Sequence, residues 1–291
     1  MQQIGGNIVN EPMTAPVDRG ERIDTSAVRN RRILINVLRV LLLVIIIGGW
    51  ELATRVGIID SFFWGQPSGI WAQIVTWVTK GTALGSLWEQ IAVTLEETVL
   101  GFIIGVVLGV ISGVVLGRNR FLADVLGPYI KAGNSIPRVV LGSIFLIGLG
   151  LGIQSKVALA VVLVFFIVFF NAFQGVREAD RNLLANARIL GASQLQVTTQ
   201  VILPSALTWI IASLHTSFSF ALVGAVVGEF LGSTEGLGLL IQNAQNTFNA
   251  NGVFAAMVIL AAVALLSEFL ITRLENSLIR WRPNTVSDVT F

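Results

Sequence analysis

Apolar runs of about twenty residues or more, the length that carries a helix across a bilayer core, recur along this chain at residues 33–53, 91–117, 125–149, 156–176, 205–231 and 252–274. Inside a bilayer every backbone N–H and C=O must be paired within its own segment or with a neighbouring one, so runs of this kind become helices. The expected fold is therefore an all-α polytopic membrane protein with six transmembrane helices. Composition agrees, with 54% hydrophobic and only 12% charged residues, against roughly a quarter charged in soluble domains. There is no cysteine and one histidine, His215, which excludes disulfides, thiolate metal sites and clusters of histidine ligands. No phosphate-cradling Gly-x-x-x-x-Gly-Lys-[Ser/Thr] motif occurs either, so any energy from ATP must come from another chain.

Polar residues 1–32, with Pro12 and Pro16, form an N-terminal tail, 33–283 form one six-span domain, and 284–291 form a C-terminal tail. Between the first two spans, Pro67-Ser68-Gly69 precedes Ile70, Trp71, Ile74, Val75, Trp77 and Val78. This amphipathic stretch is too short to span and either lies along the interface, where indole rings are favoured, or packs as a short helix. Glu96 and Glu97 are placed at the start of the second span, against the positive end of its dipole. Gly101, Gly105, Gly109, Gly113 and Gly117 then repeat every fourth residue, a face on which another helix can approach closely. The third span contains Pro137 and Arg138.

Lys and Arg placement gives an orientation. With the N-terminus inside, fifteen of the nineteen basic residues fall on the cytoplasmic side; Arg55, Lys80 and Lys156 fall outside, and Arg138 sits near the inner start of the third span. Both termini are then cytoplasmic.

The longest polar interruption, residues 177–204, is not featureless. Leu183, Leu184, Ala187 and Leu190, then Leu195, Val197, Val201 and Ile202, recur at helical spacing around Gly191-Ala192-Ser193. The pattern gives a helix, a turn and a second helix that Ser193 would N-cap, a surface suited to docking a partner. The run from Ala185 to Ser193, continued to Val201-Ile202-Leu203-Pro204, resembles the EAA loop of bacterial ABC-importer permeases, written E-A-A, three residues, Gly, nine residues, I-x-L-P. The glycine-to-Leu-Pro spacing fits, while Ala185 replaces the glutamate, Asn186 the first alanine and Val201 the isoleucine. Asn134-Ser135-Ile136-Pro137-Arg138 with Gly148-Leu149-Gly150, and Gly228-Glu229-Phe230 with Gly236-Leu237-Gly238, are similar to the nitrate/sulfonate/taurine-type branch of that family; the resemblance covers about residue 90 to residue 283.

The resemblance implies a non-catalytic permease subunit in a bacterial inner membrane. Its partners would be a second copy of the chain, cytosolic ABC ATPase subunits and an external solute-binding protein, besides the lipid bilayer, with no nucleic acid. It would bind no cofactor, ATP and Mg belonging to the ATPase. Ala187, Leu190, Gly191, Ala192, Ser193, Gln194, Leu203 and Pro204 would form the ATPase-coupling element. The solute would be a small anion, such as nitrate, a sulfonate or a related organic acid, with a neutral pyrimidine-type nutrient as the other reading.

Polar groups within spans usually face protein or a water-filled cavity. Ser213 and Ser217 share one helical face and His215 and Ser219 another, so one stripe is a candidate lining of the translocation path; helix–helix hydrogen bonding is the plainer account of the serines. Arg138 and Glu229 are expensive at membrane depth. Arg138 is a candidate anion ligand or a snorkelling side chain, and Glu229 a candidate gate residue or a water-facing interfacial carboxylate. A stand-alone secondary transporter or channel is the alternative class, but neither inverted repeats nor midplane carboxylates stand out.

Overall fold

The computed structural model describes residues 25–179 and 181–278. Most of the tail expected at 1–32 and all of that at 284–291 lie outside these residues, as do Arg19, Arg22, Arg280 and Arg282 of the charge argument. Among the described residues the elements are helical, apart from an isolated bridge between Thr82 and Gly85.

The chain divides into two units, residues 1–49 and 50–291. Helix α1 (Thr25–Arg55) begins well ahead of Ile33, because hydropathy marks only the part of a helix suited to lipid and not its polar first turns. In the second unit, α2 (Ser61–Trp64) is capped by Asp60, whose carboxylate accepts from Phe62 N–H at 2.8 Å. Helix α3 (Pro67–Lys80) starts on proline, whose missing N–H is no loss at that position. It buries Ile70 and Trp77 and leaves Trp71 68% exposed, so the amphipathic stretch both packs and presents an indole outward.

Helix α4 (Leu87–Arg118) starts earlier than the apolar run, with Glu89 accepting from Ser86 N–H at 3.2 Å. This corrects the reading of Glu96 and Glu97, which lie inside the helix rather than in its first turn. The glycine face behaves as its spacing implies. Gly101, Gly105, Gly109, Gly113 and Gly117 meet, in that order, Ala160, Val164, Val168, Ala172 and Val176 of helix α7 (Ile153–Arg177); a Cβ on Gly109 would stand 2.8 Å from that of Val168. Pairs that advance together mean that α4 and α7 run parallel, so the segment between them must return the chain once across the bundle.

That return is broken. Helices α5 (Arg120–Ser135) and α6 (Arg138–Leu149) meet at 89°. Pro137 disfavours helical geometry at Ile136, which is extended at φ −68°, ψ 130°. The third expected span is thus a bent pair, and among the described residues five single helices are long and apolar enough to cross a membrane, or six spans with the pair taken as one.

After α7 come α8 (Arg181–Ile189), the short α9 (Gln194–Val197), a π-helical turn at Thr198–Ile202, and α10 (Leu203–Leu231). Pro204 has no N–H, and its ring would strike the carbonyl four residues back in a regular helix. The wider turn relieves this, so the second helix of the polar interruption runs into the fifth span without a break, from Gln194 to Leu231. Helix α10 is antiparallel to α7, with Gly224 over Ala160, Gly228 over Lys156, and Gly175 against Ala206 and Trp209. Helices α11 (Leu237–Asn246) and α12 (Ala250–Leu278) follow. Helix α12 is antiparallel to α10, since Glu268 faces His215 while Met257 shares a groove with Val226.

These directions sort the unit's ends. Arg118, Arg177, Arg273 and the polar interruption fall at one end, here the basic end; Lys156, Glu97, Glu229 and α11 fall at the other.

Candidate functional site

At the basic end, α8 stops on Gly191, whose φ is +79°. Ala192 N–H donates to Ala187 O and Gly191 N–H to Arg188 O, both at 3.0 Å, the paired bonds that satisfy the last carbonyls of a helix and place glycine in the left-handed region. Apart from its chain neighbours and its own helix, no atom among the described residues lies within 4 Å of a Cβ built on Gly191, so backbone conformation, not crowding by these residues, selects glycine there. Ser193 opens the next helix through a reciprocal pair: its hydroxyl accepts from Gln196 N–H at 3.3 Å and its own N–H donates to Gln196 Oε1 at 2.8 Å. The predicted residues Ala187, Leu190, Gly191, Ala192, Ser193 and Gln194 therefore form one turn, with Leu203 and Pro204 in the first turn of α10 beyond it. Beside the glycine, Ile189 and Leu190 are 82% and 85% exposed, and Leu195 is 73% exposed. A helix–turn–helix element that is well made in its backbone yet turns aliphatic side chains to the outside is suited to a complementary protein surface.

The other predicted residues separate into four places. Ser213 and Ser217 face the interior; Ser213 donates to Ile210 O at 2.6 Å, and the Ser217 hydroxyl, fully buried, has no hydrogen-bond partner among the described residues. His215 and Ser219 lie on the opposite face and line a groove of 490 Å³ between α10 and α12. Its remaining polar side chain is Glu268, with Oε1 3.8 Å from His215 Nδ1. Arg138 stands at the α5–α6 elbow, donating from Nη2 to Asn134 Oδ1 at 2.9 Å.

Glu229 is not the water-facing carboxylate that its position suggests: it is fully buried and does not line the groove. Thr94 Oγ1 donates to its Oε1 at 2.7 Å and Gly238 N–H to its Oε2 at 2.6 Å. Leu237 N–H donates to Thr94 Oγ1 at 2.9 Å and Gly236 N–H to Gln90 Oε1 at 2.7 Å. The first N–H groups of α11, which no intrahelical carbonyl can satisfy, are thus held by three side chains from α4 and α10. Glu97 and Lys156 are buried nearby, and Lys156 acts electrostatically on both glutamates. Its ammonium donates to the carbonyls of Leu151 and Gly152, which close the preceding turn. Lys156, counted from sequence as an external charge, is an interior residue.

Gln90, Thr94 and Glu268 were not singled out by sequence reasoning, and Glu97 and Lys156 were read there as boundary charges. A signal existed for the α4 residues: Gln90, Thr94 and Glu97 extend the same face as the glycine series, and a polar side chain on a close-packing face must be buried.

The fold is that of an all-helical multi-pass membrane protein with an ordered helix–turn–helix at its basic end. The chain belongs to the family described as binding-protein-dependent transport system inner membrane component, which matches residues 105–280, and it is a permease subunit of the ABC-importer class for small solutes. It is 30% identical over 242 residues, covering 83% of this chain and 86% of the relative, to a Bacillus subtilis protein named as an aliphatic sulfonates transport permease, SsuC. It is 37% identical over 197 residues, 68% of this chain and 74% of the relative, to the riboflavin transport system permease protein RibX of Chloroflexus aurantiacus. Among solved structures, a chain of the inward-facing MetNI methionine ABC transporter shares the fold with a TM-score of 0.55 at 22% identity, over 66% of this chain and 94% of that one.

Proposed function

We propose that this chain is one of two identical permease subunits of an ATP-driven importer, that residues 177–204 are its coupling loop, and that a separate cytosolic ATPase supplies the energy. The observation that carries the reading is the turn at Gly191, a rigid Schellman closure and N-cap flanked by Ile189, Leu190 and Leu195 turned outward. Closure of the ATPase dimer would push this turn, and the unbroken helix from Gln194 to Leu231 would carry the displacement through the bilayer as a rigid body. The basic end faces the cytoplasm, with both termini on that side, in keeping with the clustering of Arg118, Arg177 and Arg273. A solute-binding protein delivers the solute to the opposite end.

The solute is a small anion, such as nitrate, a sulfonate or a related organic acid. The similarity to a permease named for aliphatic sulfonates supports this, as does Arg138, whose guanidinium has one bond to Asn134 and further N–H groups to offer. His215 and Ser219 contribute to the path where the two copies meet. The test is photo-crosslinking in intact membranes. A photoreactive residue at Leu190 should trap an ATP-binding chain, and one at Ile147, which is 87% exposed on α6, should not. If Leu190 traps no ATP-binding chain, residues 177–204 do not dock the motor.

A further inference from the structure

A cavity of 240 Å³ opens at the basic end between α5 and α7. Its floor is apolar, built from Leu116, Ala123 and Phe169, all buried. Two cations line it. Arg177 closes the last turn of α7, with its guanidinium carbon 4.5 Å from the centroid of the Phe173 ring, and Lys131 projects from α5. Neither has a carboxylate within ion-pair distance among the described residues; the one acid on the rim, Asp124, is largely exposed and stands 3.9 Å from Arg120. Phe170 lines the cavity and is also 38% exposed, so the apolar wall continues onto the outer surface of the bundle.

We propose that this cavity binds the headgroup of one acidic phospholipid, with Lys131 and Arg177 on the phosphate oxygens and an acyl chain along Phe170. Three features select that ligand. Arg177 ends a membrane-spanning helix, which places it at headgroup depth. Basic pockets between transmembrane helices on the cytoplasmic side suit anionic headgroups. A free oxyanion would use the two cations but gain nothing from the phenylalanine walls, whereas an amphiphile uses both. Stacking on Phe173 fixes the Arg177 guanidinium before any ligand arrives, so less side-chain freedom is lost on binding.

The full complex, extracted from vesicles of dioleoyl-phosphatidylglycerol and dioleoyl-phosphatidylcholine, can be followed by native mass spectrometry. One phosphatidylglycerol should remain on each copy of the chain while phosphatidylcholine is lost. Lys131→Gln and Arg177→Gln should each weaken retention about fivefold, the effect of one basic residue near a charged surface. Lys131→Arg should retain the lipid, and so should Arg120→Gln, whose side chain is 91% exposed; either result separates loss of the site from loss of fold. Inorganic phosphate should not displace the lipid. Equal retention of the two lipids, or unchanged retention in the Lys131→Gln/Arg177→Gln double variant, would overturn the proposal. Displacement by inorganic phosphate alone would make the cavity a bare oxyanion site and refute the lipid assignment.

Discussion

Glu229 and Gly191 stand at opposite ends of the same bundle, and the hydrogen bonds around them differ in reach. Around Glu229 the bonds join residues far apart in sequence: Thr94 to Glu229, Leu237 to Thr94, and Gly236 to Gln90, at separations of 135, 143 and 146 residues. Around Gly191 they are local, from Ala192 to Ala187 and between Ser193 and Gln196. At the first end Glu229, Thr94 and Gln90 are buried and bonded to tertiary partners, and Glu97 keeps one buried oxygen without a hydrogen-bond partner among the described residues, while apolar groups at the second end are exposed. One end is held chiefly by bonds between distant parts of the chain; the other has its backbone finished locally and its aliphatic side chains exposed. A subunit driven by a separate motor needs both, a fixed reference at the far side of the membrane and a rigid but uncommitted handle at the near side.

Changes at the two ends should therefore fail in different ways. The largest expected effect is at Glu229. Glu229→Ala leaves Gly238 N–H without its acceptor, leaves the Thr94 hydroxyl only its longer bond to Gln90 O at 3.1 Å, and removes a counter-charge for the buried Lys156, a loss of about 3–5 kcal/mol. It should appear as a sharp fall in the melting temperature of the detergent-solubilised protein, followed by tryptophan fluorescence. A melting temperature like that of the unaltered protein would mean that this end is not held by its buried polar groups. Next comes Gly109→Leu, which forces a side chain into Val168 and should destabilise by about 1–3 kcal/mol, read as less folded protein in membranes.

Ser193→Ala should act only locally, weakening the start of α9 by about 1 kcal/mol. Hydrogen exchange at Leu195–Val197 should quicken while the global melting temperature stays put; a global shift would contradict the independence of the two ends.

Much of this arrangement was legible in the sequence because it depends on local pattern. The spans follow from apolar length, the α4–α7 contact from glycines every fourth residue, and the turn at Gly191 from spacing together with the Ser193 cap. What escaped depends on which helices meet. Hydropathy places Glu229 near the end of a span, where water and protein are equally available, and only the return of α11 over Thr94 decides between them. Lys156 was misplaced for the same reason, since a lysine in the first turn of an apolar run reads as a boundary charge until α10 is seen to lay Gly228 across it. The bend at Pro137 and the π turn before Pro204 are single-residue backbone effects that a count of apolar residues does not register.

The central claim, that the loop at Gly191 couples this chain to its motor, is tested most directly by a paired measurement on Gly191→Asp and Gly109→Asp. Each variant is assayed for protein level in membranes and for ATPase retained per permease after detergent extraction. At Gly191 a side chain is strained by φ +79° and adds bulk and charge at the proposed contact with the ATPase, yet it meets no other part of the described residues within 4 Å. The account predicts a normal membrane level for Gly191→Asp with the ATPase lost and transport abolished, and a depleted membrane level for Gly109→Asp. Gly191→Asp with its ATPase bound and transport intact would contradict it.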